Sequence, residues 1–386
     1  MSRQSAHARG LGLLMVCAVA LAGCTPAAGT GSPSASPGLT ETIYIADRYG
    51  YIEKVTPDGM LTIVAGNRLG GDKSTGPVPG PALNSPIGLP LGLVVDAAGN
   101  IYFVDAVMKT NSFYIEKVTP DGTLSIVAGN GVADTPVPGP AVDSPLYLNP
   151  NIRSLAIDTT GNLYIPALTI APVGLSGDVV VKVTPDGVLS VIAGNGLLLN
   201  YGPDKGIPTP GPAADTAIGS VQGLAVDASG TLYIASERCI AMVKDGVLSV
   251  VAGNGGTSKT PIPGPAVDSP IIPRGAVVDA AGNLYIPSYD PQLLKVTPDG
   301  ILSIFAGYRV DGPTPTPATG FGRSGVGMAV GGAGDMYFPG GGSVDRLVPD
   351  GGMSTVAGHG NPGMPPQNGL ATASPMDPVL VAVGPS

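Results

Sequence analysis

Six times along this chain a short apolar run closes on Ala-Gly: Ala65-Gly66, Ala128-Gly129, Ala193-Gly194, Ala252-Gly253, Ala306-Gly307 and Ala357-Gly358. The clearest copy, "GLVVDAAGNIYFVDAVMKTNSFYIEKVTPDGTLSIVAGN" (Gly92 to Asn130), splits into four segments, "GLVVD", "NIYFVD", "FYIEKV" and "LSIVAG". Runs of four to six residues rich in Val, Ile, Leu and Tyr between Gly, Pro, Asp and Asn read as strands, and long amphipathic helical stretches are not apparent. The turns have local causes: in Thr-Pro-Asp-Gly, Pro presets φ and Gly takes the conformation other residues avoid. The 59 Gly and 41 Pro would indicate low complexity if spread without a period, but here they punctuate a repeat.

Other markers agree on six copies. The second strand carries Tyr44, Tyr102, Tyr164, Tyr233, Tyr285 and Tyr337, and the third turn carries Asp-Gly beginning at Asp58, Asp121, Asp186, Asp245, Asp299 and Asp350. First strands number only five: Gly92 to Asp96, Ser154 to Asp158, Gly223 to Asp227, Gly275 to Asp279 and Gly327 to Gly331. The unit beginning at Glu41 has none. The C-terminal "LVAVG" (Leu380 to Gly384) aligns with the missing one and follows Ser374-Pro375, as others follow Ser85-Pro86, Ser144-Pro145 and Ser269-Pro270. Radially repeated four-stranded units with closure between the chain ends describe an all-β, six-bladed β-propeller. Small residues at the start of the inner strands fit crowding around a central channel.

The repeated "GLVVDAAGNIYFVDA" and "IEKVTPDGTLSIVAGNG" resemble NHL-repeat propellers, over residues 41 to 386. That resemblance implies extracellular sensor or ligand-binding domains and, in related six-bladed enzymes, lyases and lactonases. Two features depart from the family pattern: the third strand is reached through "RYGYIEKV" without Asn-x-Arg, and the connectors read "PVPGPAVDSP".

Residues 1–23 have the layout of an export signal, with Arg3 and Arg9 ahead of an apolar run, Leu11 to Ala22, that is too short to span a membrane. Leu21-Ala22-Gly23-Cys24 resembles the bacterial lipobox, which makes Cys24 the expected lipidation site and a membrane anchor through several acyl chains. Residues 24–40 continue as an uncharged Ser/Thr/Pro/Gly tether. Cys239 is then the one cysteine of the mature domain, read as a small buried hydrophobe. The formal charge of −9 becomes −11 once Arg3 and Arg9 leave with the signal. An acidic domain without basic clusters or Trp argues against nucleic acid and against docking on anionic lipid. The expected state is a monomer on the extracytoplasmic side of a bacterial membrane.

Strand alternation places the first-to-second and third-to-fourth turns on one face and the second-to-third loops and connectors on the other. The recurring Asp96, Asp158, Asp227 and Asp279 form a ring of carboxylates that Ca²⁺ could use, but each occupies a hairpin corner, where Asp caps its own turn. No metal site or cofactor is therefore assigned, with Ca²⁺ kept as the alternative. The loops of the other face vary between blades, and such loops on a rigid scaffold are where binding resides. The candidate binding residues there are Arg48, Tyr49, Lys109, Glu237, Arg238, Tyr289, Asp290 and Arg346, with His359 where other blades have Asn67, Asn130, Asn195 and Asn254. The Pro-Gly-Pro-Ala connectors read as rigid bridges. No catalytic residue is assigned. His7 leaves with the signal, and His359 alone cannot build a histidine-dependent lyase site or a triad; "GFGRSG" (Gly320 to Gly325) lacks the strand-helix context of a phosphate cradle. The expectation is a membrane-anchored binding or scaffolding propeller for an envelope protein, peptide or glycan. A Ca²⁺-dependent lactonase-like hydrolase and a purely structural envelope lipoprotein are the alternatives.

Overall fold

The computed structural model describes residues 39–67, 76–149, 154–170, 176–199, 206–258, 260–289, 292–307, 326–362 and 364–385. The signal segment, Cys24 and most of the tether lie outside them, as do Asp290 and the "GFGRSG" string. Residues 35–386 form one unit by their internal contacts, and no helix among the described residues is long and apolar enough to cross a membrane.

Six antiparallel sheets make the six blades. The second, third and outer strands of blade 1 are Ile43–Asp47, Tyr51–Val55 and Met60–Ala65. Its inner strand is the C-terminal Pro378–Val383, paired with Ile43–Asp47 from Ile43↔Val383 to Asp47↔Pro378. Chain start and chain end thus share one sheet, as the missing first strand required. The seam between blades 1 and 6 is apolar: Ile43, Ile45, Val344 and Val356 are each 0% exposed in one cluster with Leu39 and Tyr337. At about 2 kcal/mol per fully buried side chain, these four aliphatics contribute on the order of 8 kcal/mol, an upper figure because the unfolded chain already buries some surface.

Two glycine positions show why the repeat marks itself as it does. The Gly of each Ala-Gly has a positive φ, +93° at Gly66 and +97° at Gly253, and a Cβ there would stand 2.1 Å from the Gly50 carbonyl oxygen and 2.4 Å from that of Arg238. On the inner strands a Cβ at Gly223 would stand 2.7 Å from Gly275 Cα of the next blade. Blade 3 has Ser154 there instead, whose hydroxyl accepts from Leu224 N–H at 2.8 Å and so ties blade 3 to blade 4.

Three features go beyond the sequence reading. Each pairing of third and outer strands carries a register shift at the same place, Ile52/Glu53, Ile115/Glu116, Val180/Val181, Ile240/Ala241, Leu293/Leu294 and Val344/Asp345; such a bulge adds twist at the rim. The Gly-Pro of four connectors, and Gly369-Leu370 of a fifth, do not lie on the loop face: each is a two-residue edge strand on the following blade, as in Gly80↔Leu124 and Pro81↔Thr123. Pro suits an edge because it has no N–H to leave unpaired. Ala82 then donates to the Gly122 carbonyl of blade 2 and accepts from Gly66 N–H of blade 1, so the connector straps adjacent blades.

The third feature concerns the acids of the first turn. Asp96 accepts from the N–H groups of Ala98 and Asn100, from Asn100 Nδ2 and from the Tyr102 hydroxyl, and blades 3, 4 and 5 repeat the pattern around Asp158, Asp227 and Asp279. Turn capping is what these carboxylates do. Blade 6 has Gly331 instead, and the Glu41 carboxylate from the start of blade 1 fills the vacant place, 2.5 Å from where a Gly331 Cβ would stand. It accepts there from Ala333 N–H at 3.4 Å.

Candidate functional site

The variable loops meet around the upper end of the channel, where the inner strands begin. In blade 1 the Asp47–Gly50 turn is closed by Gly50 N–H to the Asp47 carbonyl, and Asp47 Oδ1 accepts from Tyr49 N–H at 2.7 Å. Asp47 Oδ2 accepts from Asp377 N–H at 2.6 Å, Arg48 N–H donates to the Asp377 carbonyl, and Arg48 Nε lies 3.1 Å from Asp377 Oδ2. One turn therefore pins the C-terminal strand and places the Arg48 guanidinium on the rim.

Arg274 is placed from blade 5. Its N–H donates to the Pro287 carbonyl at 2.8 Å, Tyr289 N–H donates to the Ile272 carbonyl, and the guanidinium carbon stands 5.5 Å from the centre of the Tyr289 ring. Such a cation–π contact orients an arginine without neutralising it. In blade 6, which stands between blades 5 and 1, Gly340 pairs with Ser343 across a two-residue hairpin whose central Gly341 and Gly342 have φ of +62° and +79°, the signature of a type I′ turn. Arg48, Arg274, Gln222, Asp377 and the bare Gly340-Gly341 wall enclose a cavity of about 400 Å³. Below it, Gln222 and Arg274 also line the channel, about 280 Å³, which is walled by the inner strands of the blades.

Buried acids frame this face. Asp105 accepts from Gly88 N–H and Asp178 from Val221 N–H, each fastening the upper end of an inner strand. Burial pushes Asp47 up to about 6 against the lowering of its backbone hydrogen bonds, and burial likewise pushes Asp105 and Asp178 up to about 6. Glu53 and Glu116 are each 0% exposed, and burial, reinforced by Asp47 and Asp105 respectively, raises both well above the ordinary carboxylic range. Among the described residues no three acid, histidine or cysteine side chains gather so as to hold a metal ion.

Of the residues singled out by sequence, Arg48 lines the cavity and Tyr289 carries Arg274. Tyr49 turns to the rim, its hydroxyl donating to the Pro362 carbonyl at 2.7 Å. Lys109 is exposed on the blade 2 loop and His359 beyond the outer strand of blade 6. Glu237 and Arg238 sit on the blade 4 loop, Glu237 near enough to Asp178 to raise it, while Arg238 Nη1 donates to the Gly255 carbonyl at 3.5 Å. Arg346 lies at the other end of its blade: the tight glycine hairpin puts it inside the strand Ser343–Leu347 opposite Tyr337, where it pairs with Asp335 at 2.6 Å. Cys239 is fully buried, and burial raises its thiol to about 11. Sequence reasoning missed Arg274, Gln222 and Asp377. The signal was available: Gln222 and Arg274 each precede the small residue that opens an inner strand, Gly223 and Gly275.

A second cavity, about 600 Å³, opens between blades 1 and 2 beside Pro385 and the Thr119 to Gly122 turn. The mouth of the channel is the better candidate, since two guanidinium groups and an amide converge on it.

Comparison with solved structures agrees with the architecture. A structural-genomics protein of unknown function from Bacteroides thetaiotaomicron superposes with a TM-score of 0.53 at 13% identity, covering 89% of this chain and 84% of that one. A gluconolactonase from Xanthomonas campestris gives a TM-score of 0.39 at 15% identity, over 69% of this chain and 76% of the other. Virginiamycin B lyase from Staphylococcus aureus gives 0.36 at 13% identity, over 69% and 83%. No family model and no curated protein matches the sequence. The first of these likenesses bears on fold alone, and the six antiparallel sheets make that fold a six-bladed β-propeller.

Proposed function

We propose that this chain is a lipid-anchored, extracytoplasmic binding propeller of the NHL-like kind, and that its ligand sits at the mouth of the channel on the loop face. The observation that supports the reading is the cavity itself: Arg48, Arg274 and Gln222 converge on it, Arg48 being placed by the Asp47–Asp377 contacts and Arg274 by the Pro287 carbonyl and the Tyr289 ring. A rigid scaffold with unlike loops at one end is built for recognition rather than for turnover by a repeated residue. The tether reading supports placement outside the cytoplasm. Val326→Trp would fill the mouth from the blade 6 side without touching the blade seams. Wild type should capture a ligand from envelope extract that the Val326→Trp protein does not, and equal capture by both would sink the assignment of the mouth. Cys24→Ala should move the protein from the membrane to the soluble fraction; retention in the membrane fraction would sink the anchor.

A further inference from the structure

We propose that the cavity between blades 1 and 2 is a second binding site, separate from the mouth, and that it takes a small organic carboxylate against Tyr44 and Lys54. The other blades show what that place accepts. In blades 2 to 5 the second-strand tyrosine donates its hydroxyl to the first-turn aspartate: Tyr102 to Asp96 at 3.2 Å, Tyr164 to Asp158 at 3.0 Å, Tyr233 to Asp227 at 3.3 Å and Tyr285 to Asp279 at 3.2 Å. Blade 1 keeps the tyrosine and lacks the acid. Gly384 N–H donates to the Thr42 carbonyl just as Asp96 N–H donates to that of Asn100, so Gly384 stands at the aspartate's place. Tyr44 is 7% exposed and lines the cavity, and among the described residues nothing accepts from its hydroxyl. Blade 6 has a like vacancy at Gly331, and there the Glu41 carboxylate, from the start of blade 1, occupies it.

Lys54 adds the charge. It stands opposite Tyr44 in the strand pairing, as Lys117 stands opposite Tyr102 and Lys295 opposite Tyr285, and it lines the same cavity. Among the described residues it makes no ion pair. Asp121, the one acid in the described lining, accepts from the Thr119 hydroxyl and Thr123 N–H of its own turn. A phenol and an ammonium on neighbouring strands hold a carboxylate through charge-assisted hydrogen bonds, roughly twice as strong as those to a neutral amide. The cavity, about 600 Å³, holds more than a carboxylate group. Ile63, Val64, Leu83, Pro81 and Pro120 line it and are each partly or largely exposed, so an apolar body gains by covering them.

The test is calorimetric titration of the full-length protein in a non-ionic detergent with 3-phenylpropionate and 3-phenylpropanamide. The carboxylate should bind about ten-fold or more tightly than the amide. Tyr44→Phe should remove most of that preference with an unchanged melting temperature, since the hydroxyl holds no partner among the described residues, and Lys54→Gln should reduce it. Val326→Trp, which fills the mouth, should leave the preference as in wild type. Equal binding of the two compounds, no binding of the carboxylate, or a preference unaltered in either Tyr44→Phe or Lys54→Gln overturns the proposal. Loss of the preference in Val326→Trp would put the carboxylate at the mouth, which overturns this second site and leaves the reading of the mouth standing.

Discussion

The two faces of the propeller use the same side chain in opposite ways. On the turn face Asp158 accepts from Thr160 N–H and Oγ1, Asn162 N–H and Nδ2 and the Tyr164 hydroxyl. Partial burial raises its pKa, but the hydrogen bonds from Asn162 and Thr160 outweigh that and hold it below the usual range; Asp227 behaves alike through Ser229 and Thr231. On the loop face Asp47, Asp105 and Asp178 are buried with one or two backbone donors each, and burial wins. A carboxylate surrounded by donors stabilises a turn as an anion. One sealed beneath a loop stabilises best while it keeps its proton.

The bluntest way to break this contrast is to remove the strand both faces share. Deleting Val379 to Ser386 strips blade 1 of its inner strand and takes out Val379, Leu380, Val381 and Ala382, all buried, so the side chains packed on them are exposed. The loss, on the order of 5 kcal/mol or more, is comparable to the whole stability of a domain, so the cooperative melting transition should disappear. A truncated protein with unchanged melting would refute the closure.

The next effect isolates the turn face. Asp158→Ala removes all five hydrogen bonds of its cap and leaves the donors to water; a loss of about 3 kcal/mol is expected in chemical denaturation, with binding at the mouth unchanged.

The loop face should appear in the pH dependence. Between about pH 4, where the unfolded carboxyls titrate, and about pH 6, the folded protein holds protons that the unfolded chain has released. Folding takes up protons there, so this contribution is complete below pH 4 and is lost as the pH rises through 6. Asp158 and Asp227 act in the reverse sense, their contribution being complete above about pH 4 and lost as the pH falls through their lowered values. Scanning calorimetry from pH 3 to 8 should therefore show a maximum near pH 4 to 5. Glu53→Gln, which keeps the shape and removes the buried acid, should gain on the order of 1–2 kcal/mol at pH 8 relative to wild type and lose that gain at pH 4. Equal effects at both values would assign Glu53 to packing alone.

The smallest effect sharpens the loop face from its rim. Tyr49→Phe deletes one exposed hydrogen bond, to Pro362, and should shift stability by no more than about 1 kcal/mol, with the mouth still intact.

Six blades, their order, the turn chemistry and the return of Leu380 to Gly384 to the first blade were legible because each depends on near neighbours or on a period. Ala-Gly recurs because one backbone conformation excludes a side chain, and a string of letters records that directly. The mouth was legible in part. Arg48 and Tyr289 could be placed from loop membership, whereas Arg346, expected on the loop face, lies at the other end of its blade because Gly341 and Gly342 close the hairpin in two residues. Arg274 was overlooked because it belongs to the start of a strand that repeats, so periodicity hid it among structural positions.

By itself the sequence determined the repeat, its turns and its closure, since these follow from φ preferences, apolar patterning and the count of strands. Tertiary structure alone decided which side chains share a cavity, that Glu41 replaces an aspartate missing from blade 6, and which carboxyls are sealed from water. Those outcomes depend on distances between residues up to 330 positions apart, such as Asp47 and Asp377, and on the dielectric that packing creates around them.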